Sequence, residues 1–326
     1  MGKLKIGLML GGGGAKGAYQ LGVIKALEEA NLLKQIKSIS GTSIGAINTM
    51  LLMSKKNHKH METIWDDLDA DNVFGVKMNV FSKDSRMYSV EPLTNKLLEK
   101  INMKQVRKSK YQGYATAALM YSKTSMTHQI NTDTMEKKVF HLNKMMDPYK
   151  AVLASASIPV IFGPTKIDDF FYVDGGILDN YPVEPLINDG CNLILSIPLD
   201  YKFNPYLYDH TDINIIDFTP GEVFEKSFIT DNLEMLNFNK TYKDEKALLG
   251  YTAGKMVINK MYEEGIIKSF WKFNFFKKSN EFKVIKLTPE DELKLKDLKL
   301  QTKKELKKLQ KEMKKKAKKQ KRGNEE

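Results

Sequence analysis

Over the first 200 residues, short continuous apolar runs alternate with stretches whose apolar positions recur every three or four residues. IGLML (6–10) is apolar throughout and predicts a buried strand. Leu21, Ile24 and Leu27 then recur at helical spacing beside polar Gln20, Lys25 and Glu28. IKSIS (36–40) is a second, weaker strand, followed by Ile44, Ile47, Met50 and Leu51 on one helix face. FFYV (170–173) and NLILSI (192–197) predict later strands, separated by the turn-rich DGGILDNYP. Strand and helix in alternation indicate an α/β layer architecture.

The remainder is less periodic. Residues 55–110 are polar and Lys-rich, and read as helices and loops covering the sheet. Residues 201–287, with TYKDEKALLGYTAGKMVINKMYEEG, predict a mostly helical part packed on or following the first. At Thr288, Pro289 and Asp291 a cap residue, a first-turn proline and an acid three positions after the cap mark a new helix start. The helix runs on through a Lys-rich tail with an interrupted stripe of Leu295, Leu298, Leu306, Leu309 and Met313. The expected parts are therefore 5–200, 201–287 and 288–326.

Composition narrows the setting. A chain of 326 residues can bury a large core. Its lone Cys191 excludes an internal disulfide and a cysteine-cluster zinc site, and predicts a reducing, cytoplasmic compartment. No stretch approaches the ~18 apolar residues of a membrane span, so lipid contact is expected only peripherally, at the inner membrane surface. From Lys303 onward there are twelve basic and four acidic residues, which concentrates +8 of the net +12 in the tail. Such a run is first of all a solvated helical tail; beyond that it suits anionic lipid headgroups, and RNA phosphates least.

Three motifs carry candidate chemistry. GTSIG (41–45) fits G-x-S-x-G, which by chance occurs about once in 3,000 positions. It falls between a strand and a helix, where a nucleophile elbow must sit, so Ser43 is the candidate nucleophile and Gly41 and Gly45 let the backbone turn sharply. GGGGAKG (11–17) can offer free backbone N–H groups to a tetrahedral oxyanion, with Gly13 and Gly14 as donors and Lys16 as a nearby charge. DGG (174–176) ends the strand FFYV, and Asp174, with Gly175 and Gly176 behind it, lies at the same sheet edge as the other two.

The glycines have rival readings. Gly12, Gly14 and Gly17 satisfy the dinucleotide fingerprint, yet no acid stands near the end of IKSIS to hold a ribose. A phosphate-binding loop would need a hydroxyl after Lys16, where Gly17 stands. A nucleotide-binding protein, or a lipid- or RNA-binding protein with a vestigial site, stays the alternative to a hydrolase.

A serine nucleophile needs a base. His58, His60, His128 and His141 precede Asp174 and sit in no convincing motif. His210, in YDHTD, fits the Ser, Asp, His order of α/β-hydrolases but reads as a solvated loop histidine. Asp174 is left as direct base, which requires a partly dry pocket because a free carboxylate, with pKa near 3.9, is weak.

With GGGGAKG, GTSIG and DGG in this order, and with ASASIP (154–159) and GGILDNYPVEPL, the chain resembles the patatin-like phospholipases of the bacterial cytosolic type over about residues 5–200. The resemblance implies a three-layer α/β/α sandwich around a central, mostly parallel sheet, here with a helical C-terminal extension. It implies a Ser-Asp dyad of Ser43 and Asp174, an oxyanion loop of Gly13, Gly14 and Lys16, and hydrolysis of phospholipid or lysophospholipid acyl esters. It implies no cofactor and no metal.

Overall fold

The computed structural model describes residues 3–54, 57–69, 73, 91–121, 132–159, 161–209, 213–224, 234–270, 273–277 and 283–323. His128 and His210 lie outside the described residues, as does much of the Lys-rich stretch between 70 and 90.

The chain folds as expected into an α/β/α sandwich. Strand β1 (Ile6–Leu10) leads through the glycine loop into α1 (Ala18–Glu29), and β2 (Ser38–Thr42) leads directly into α2 (Ile44–Met53). Next come α3 (His58–Asp66), α4 (Glu91–Lys100), α5 (Met103–Arg107), β3 (Gln112–Met120), β4 (Met135–His141) and α6 (Pro148–Ser155). Strands β5 (Thr165–Ile167) and β6 (Phe170–Asp174), helix α7 (Glu184–Asn188), β7 (Leu193–Ile197) and β8 (Asn214–Asp217) follow. The chain closes with α8 (Lys240–Glu263), the hairpin β9 (Ile267–Phe270) and β10 (Phe273–Phe276), β11 (Val284–Ile285) and α9 (Pro289–Gly323).

The central sheet runs β11-β8-β7-β1-β2-β3, all parallel, and turns antiparallel at β4, β6 and β5. Continuous apolar runs in β1 and β7 are what a strand covered on both faces requires. Along β1, Leu8 and Leu10 enter the large core under α1, α2 and α8, while Met9 faces a second core with Leu186 of α7 and Ile194 of β7. Helices therefore cover both faces.

Residues past 200 are built into the same body. Strands β8 and β11 extend the sheet, and α8 crosses α1 where each contributes a glycine: a Cβ on Gly22 would lie 2.0 Å from the Ala247 carbonyl, and one on Gly250 2.0 Å from that of Tyr19. The stretch expected to be mostly helical thus also carries strands, too short or too polar to give a periodic signal. The start of α9 is the expected one, with Asp291 accepting the Thr288 N–H at 2.9 Å and Thr288 Oγ1 accepting from Asp291 N at 3.3 Å.

Strand β2 covers 38–42 rather than 36–40. Its inward polar side chains find partners on the segment after the DGG turn: Ser38 on Asp189, Ser40 on the Pro182 carbonyl, Thr42 on that of Asp179 at 2.9 Å. Those bonds let Ser40 and Thr42 continue a buried strand without orphaned hydroxyls.

Candidate active site

Register on β3 brings two distant motifs together. Strand β4 pairs along residues 114–120 of β3. The opposite edge is shared: β2 pairs with 112–116, ending at Thr42 opposite Thr116, and β6 pairs with 117–120, ending at Asp174 opposite Ala117. One strand runs parallel to β3 and the other antiparallel, so their carboxyl ends meet head-on at adjacent rungs. Ser43 and Asp174 are therefore neighbours, and the nearby Ser43 hydroxyl favours the ionised form of the Asp174 carboxylate.

Ser43 stands at the sharp turn from β2 to α2, at φ 56 and ψ −124, a backbone conformation that L-residues rarely adopt. Two features hold it there. Its N–H donates to Ser155 Oγ at 2.9 Å, and Ser155 in turn donates to the Thr116 carbonyl of β3. No side chain caps the N-terminus of α2, which leaves the positive end of that helix facing the serine. Gly45 lets α2 press onto β1, since a Cβ there would lie 2.1 Å from the Leu10 carbonyl oxygen. Gly45→Ala is expected to destabilise the fold by about 3 kcal/mol, because the atom it would strike is sheet backbone that cannot swing away; denaturant unfolding measures this.

Asp174 is buried. Its N–H is held by the Ser157 carbonyl at 2.9 Å, and its carboxylate accepts from the Gly176 N–H at 2.7 Å. Loss of solvent outweighs the Gly176 bond and the nearby Ser43 hydroxyl and pushes its pKa up to about 6. A carboxylate at that value is a better base than one at the free value, and it is ionised at neutral pH. Gly175 lets the turn lie on β3, where a Cβ would come within 2.1 Å of the Thr116 carbonyl.

The glycine loop lies beside this pair. A Cβ on Gly12 would come within 3.2 Å of Ser43 Cβ, and one on Gly17 within 2.6 Å of Ile44 in α2. Gly14 sits at φ +55, in the left-handed region that glycine enters without strain. No acceptor among the described residues takes the N–H of Gly13 or Gly14. Lys16 is buried, and its ammonium lies 5.6 Å from the centre of the Phe224 ring. All the motif residues expected from the sequence thus converge on one end of the sheet.

Two further contributors lie in stretches that the sequence marked only through the family resemblance. The ASAS stretch holds both partners, through Ser155 on Ser43 and Ser157 on Asp174. Asn180 ties the glycine loop to the DGG turn: its carbonyl accepts the Gly12 N–H at 3.4 Å and its side-chain amide faces the Gly12 carbonyl at 3.5 Å and Asp200 at 3.4 Å. The described histidines stand elsewhere. His58 pairs with Glu62 on α3, where His60 also lies, and His141 bonds Gln112 and stacks on Tyr114.

Against Ser43 opens an apolar pocket, lined by Ile44, Ile47, Leu93, Phe162, Met235 and Phe238. No helix among the described residues is long and apolar enough to cross a membrane.

The chain is 26% identical over 264 residues to the probable lipid hydrolase 463L of Invertebrate iridescent virus 6, covering 74% of this chain and 87% of the viral protein. It is 24% identical over 302 residues to the lysophospholipase nte1 of Aspergillus terreus, covering 80% of this chain, and 25% identical over 193 residues to the lysophospholipase NTE1 of Kluyveromyces lactis, covering 59%. This chain spans only 18% and 12% of those two fungal proteins. Among solved structures it is similar to the ExoU-SpcU complex of the type III secretion system of Pseudomonas aeruginosa, with TM-score 0.42 and 19% identity over 80% of this chain and 52% of that one. The family profile for Patatin-like phospholipase matches residues 8–187, so the chain belongs to the patatin-like phospholipase family and is a hydrolase.

Proposed function

We propose that the protein cleaves acyl esters of phospholipids or lysophospholipids with a Ser43–Asp174 dyad. The observation that carries the proposal is the juxtaposition of Ser43, at the end of β2, with a buried Asp174, at the end of β6, where Ser43 also lines an apolar pocket. Asp174 takes the hydroxyl proton as Ser43 Oγ attacks the ester carbonyl. The resulting oxyanion is stabilised by the N–H groups of Gly13 and Gly14, the exposed end of α2 and the charge of Lys16. Collapse of the intermediate breaks the bond to the alcohol, which takes the proton back from Asp174. A water then repeats the sequence on the acyl-Ser43 ester and releases the fatty acid.

The pKa of Asp174 makes the proposal testable without a variant. Below about 6 the carboxyl is protonated and cannot accept from Ser43; above it the base form is present. With a short-chain ester, kcat/KM is expected to rise tenfold per pH unit well below 6, reach half its plateau near 6 and flatten above 7. A profile flat from pH 4.5 to 7 would contradict Asp174 as the base.

The finer reading includes the surface on which lipid is met. The root of α9 is anchored, with Leu295 buried and Lys299 donating to the Val223 carbonyl at 2.6 Å, while Leu293 and Leu300 face solvent. The Lys-rich remainder gives an anionic membrane both charge and apolar contact. Deleting residues 303–326 is expected to abolish sedimentation with vesicles containing anionic lipid at low salt, and to leave hydrolysis of a soluble short-chain ester within twofold. Equal binding of the truncated chain would remove the tail from the account, and competition by RNA at lower concentration than by anionic vesicles would redirect it to nucleic acid.

A further inference from the structure

Beneath the glycine loop lies a group of buried charges that the hydrolysis step does not use. Lys246, on α8, has no exposed side-chain surface and pairs with Glu234 at 3.1 Å. Its ammonium also lies 4.7 Å from the ring centres of Phe224 and Tyr242, and Lys16 approaches the same Phe224 ring at 5.6 Å. A buried lysine costs several kcal/mol in desolvation unless it is paired, so the position of Glu234 is strongly determined by Lys246.

Glu234 directly precedes residues that line the pocket. The Met235 carbonyl lies against Gly14, where a Cβ would come within 2.2 Å of the oxygen, and Met235, Leu236 and Phe238 line the pocket together with Ile44 and Ile47. The free volume beside Ser43 is about 30 Å³, room for little more than a single water. An acyl chain can enter only if a wall yields. Ile44 and Ile47 belong to α2, which is fixed to the sheet, whereas the segment carrying Met235 and Leu236 is held by the Lys246–Glu234 pair at one end and by Phe238 stacked on Trp65 at the other.

We propose that Lys246 is a positioning residue for substrate choice: by holding Glu234 it fixes Met235 and Leu236 in the pocket lining, and so sets the length of acyl chain that reaches Ser43. This rests on the acyl-ester hydrolase reading and adds to it a determinant beyond the residues matched by the family profile, which end at 187. The hold depends on charge. Burial brings the Lys246 pKa down to about 8 in spite of Glu234; Lys299 lowers it further, and Glu245 opposes that. From α8, α9 and the loops packed here, the groups facing it are Glu245 and Tyr242, Lys299, and Glu234 and Lys16. Below about 8 the pair is intact and the wall is held; above it the ammonium loses its proton and the wall loosens.

The experiment compares kcat/KM for p-nitrophenyl butyrate and p-nitrophenyl laurate with purified full-length protein. In the wild type the laurate-to-butyrate ratio is expected to rise about fivefold between pH 7 and 9.5, with its midpoint near 8; Asp174 is predominantly ionised throughout this range and affects both esters alike. At pH 7, Lys246→Met and Glu234→Gln should each raise the ratio by about the same factor while butyrate turnover stays within threefold, and Lys246→Arg should restore the wild-type ratio. A wild-type ratio constant within twofold across that pH range would overturn the proposal even if no variant folds. A wild type that hydrolyses butyrate well but behaves in this way leaves the hydrolase reading intact, whereas one inert to both esters refutes that reading and this proposal with it.

Discussion

Ser43→Ala is expected to lower acyl-ester turnover on the order of 10⁴-fold or more, because removal of a nucleophile leaves only binding and oxyanion stabilisation to act on water. The measurement is initial rate against a short-chain ester, with unfolding followed alongside to show that the fold persists. That control matters at this position. Ser43 is held at φ 56 by the Ser155 bond and the β2–α2 turn, and such a backbone carries roughly 1–3 kcal/mol of strain in any residue but glycine. Alanine inherits the strain, so Ser43→Ala should melt close to the wild type, and Ser43→Gly should melt higher while being equally inactive. Loss of activity accompanied by gain of stability is the signature of strain kept for chemistry, and a destabilised Ser43→Gly would show that the turn is not strained.

Asp174→Asn is expected to be nearly as damaging, with a loss of about 10³-fold or more, since an amide cannot take the Ser43 proton. Its stability should move the other way. The folded pKa of Asp174 is raised above the unfolded carboxylate value, to about 6, so the folded state binds this proton more tightly than the unfolded one. The charged form is therefore penalised above about pH 6, the penalty vanishes as pH falls below about 4, and its size at neutral pH is roughly 3 kcal/mol. Asparagine carries no charge and can still accept the Gly176 N–H. Thermal unfolding at pH 7.5 should thus show a melting temperature equal to or above that of the wild type, and the two should converge near pH 4. A marked drop in stability at pH 7.5 would mean that the Asp174 carboxylate is a structural anchor.

The parts of this site that the sequence announced are those whose signal is local. The apolar run of β1 followed by GGGGAKG, the Ser in GTSIG and the acid in DGG each sit in a strand-to-turn context readable within about ten residues. Strand β3 gave no such signal. Its QGYATAALM run is rich in alanine, a poor β-former, and small residues are needed at 115–118 because β2, β6 and the DGG turn all crowd against it. Strand β4, MEKKVFH, is half-exposed and polar, and β8 and β11 have four and two residues. Short or polar strands of this kind are specified by their neighbours in the sheet rather than by periodicity.

The same distinction separates the candidate site residues. Ser43 and Asp174 were legible, whereas Ser155, Ser157 and Asn180 act through contacts with residues far away along the chain, and nothing within ASAS or DNYP says which group they hold. Lys246 is the extreme case. In a chain with 52 basic residues, a lysine on a helix predicts solvent exposure, and only the packing of α8 on α1 together with the Phe224 and Tyr242 rings turns it into a buried charge.

The central claim is that one serine, activated by one buried carboxylate, does the chemistry. Its most direct test is the site and pH dependence of covalent labelling by a fluorophosphonate, followed by peptide mass mapping. The account predicts a single adduct on Ser43, formed at a rate that falls as pH drops through about 6 and is lost in Asp174→Asn. Ester hydrolysis that persists while Ser43 stays unlabelled, or an adduct on another residue that abolishes activity, would contradict it.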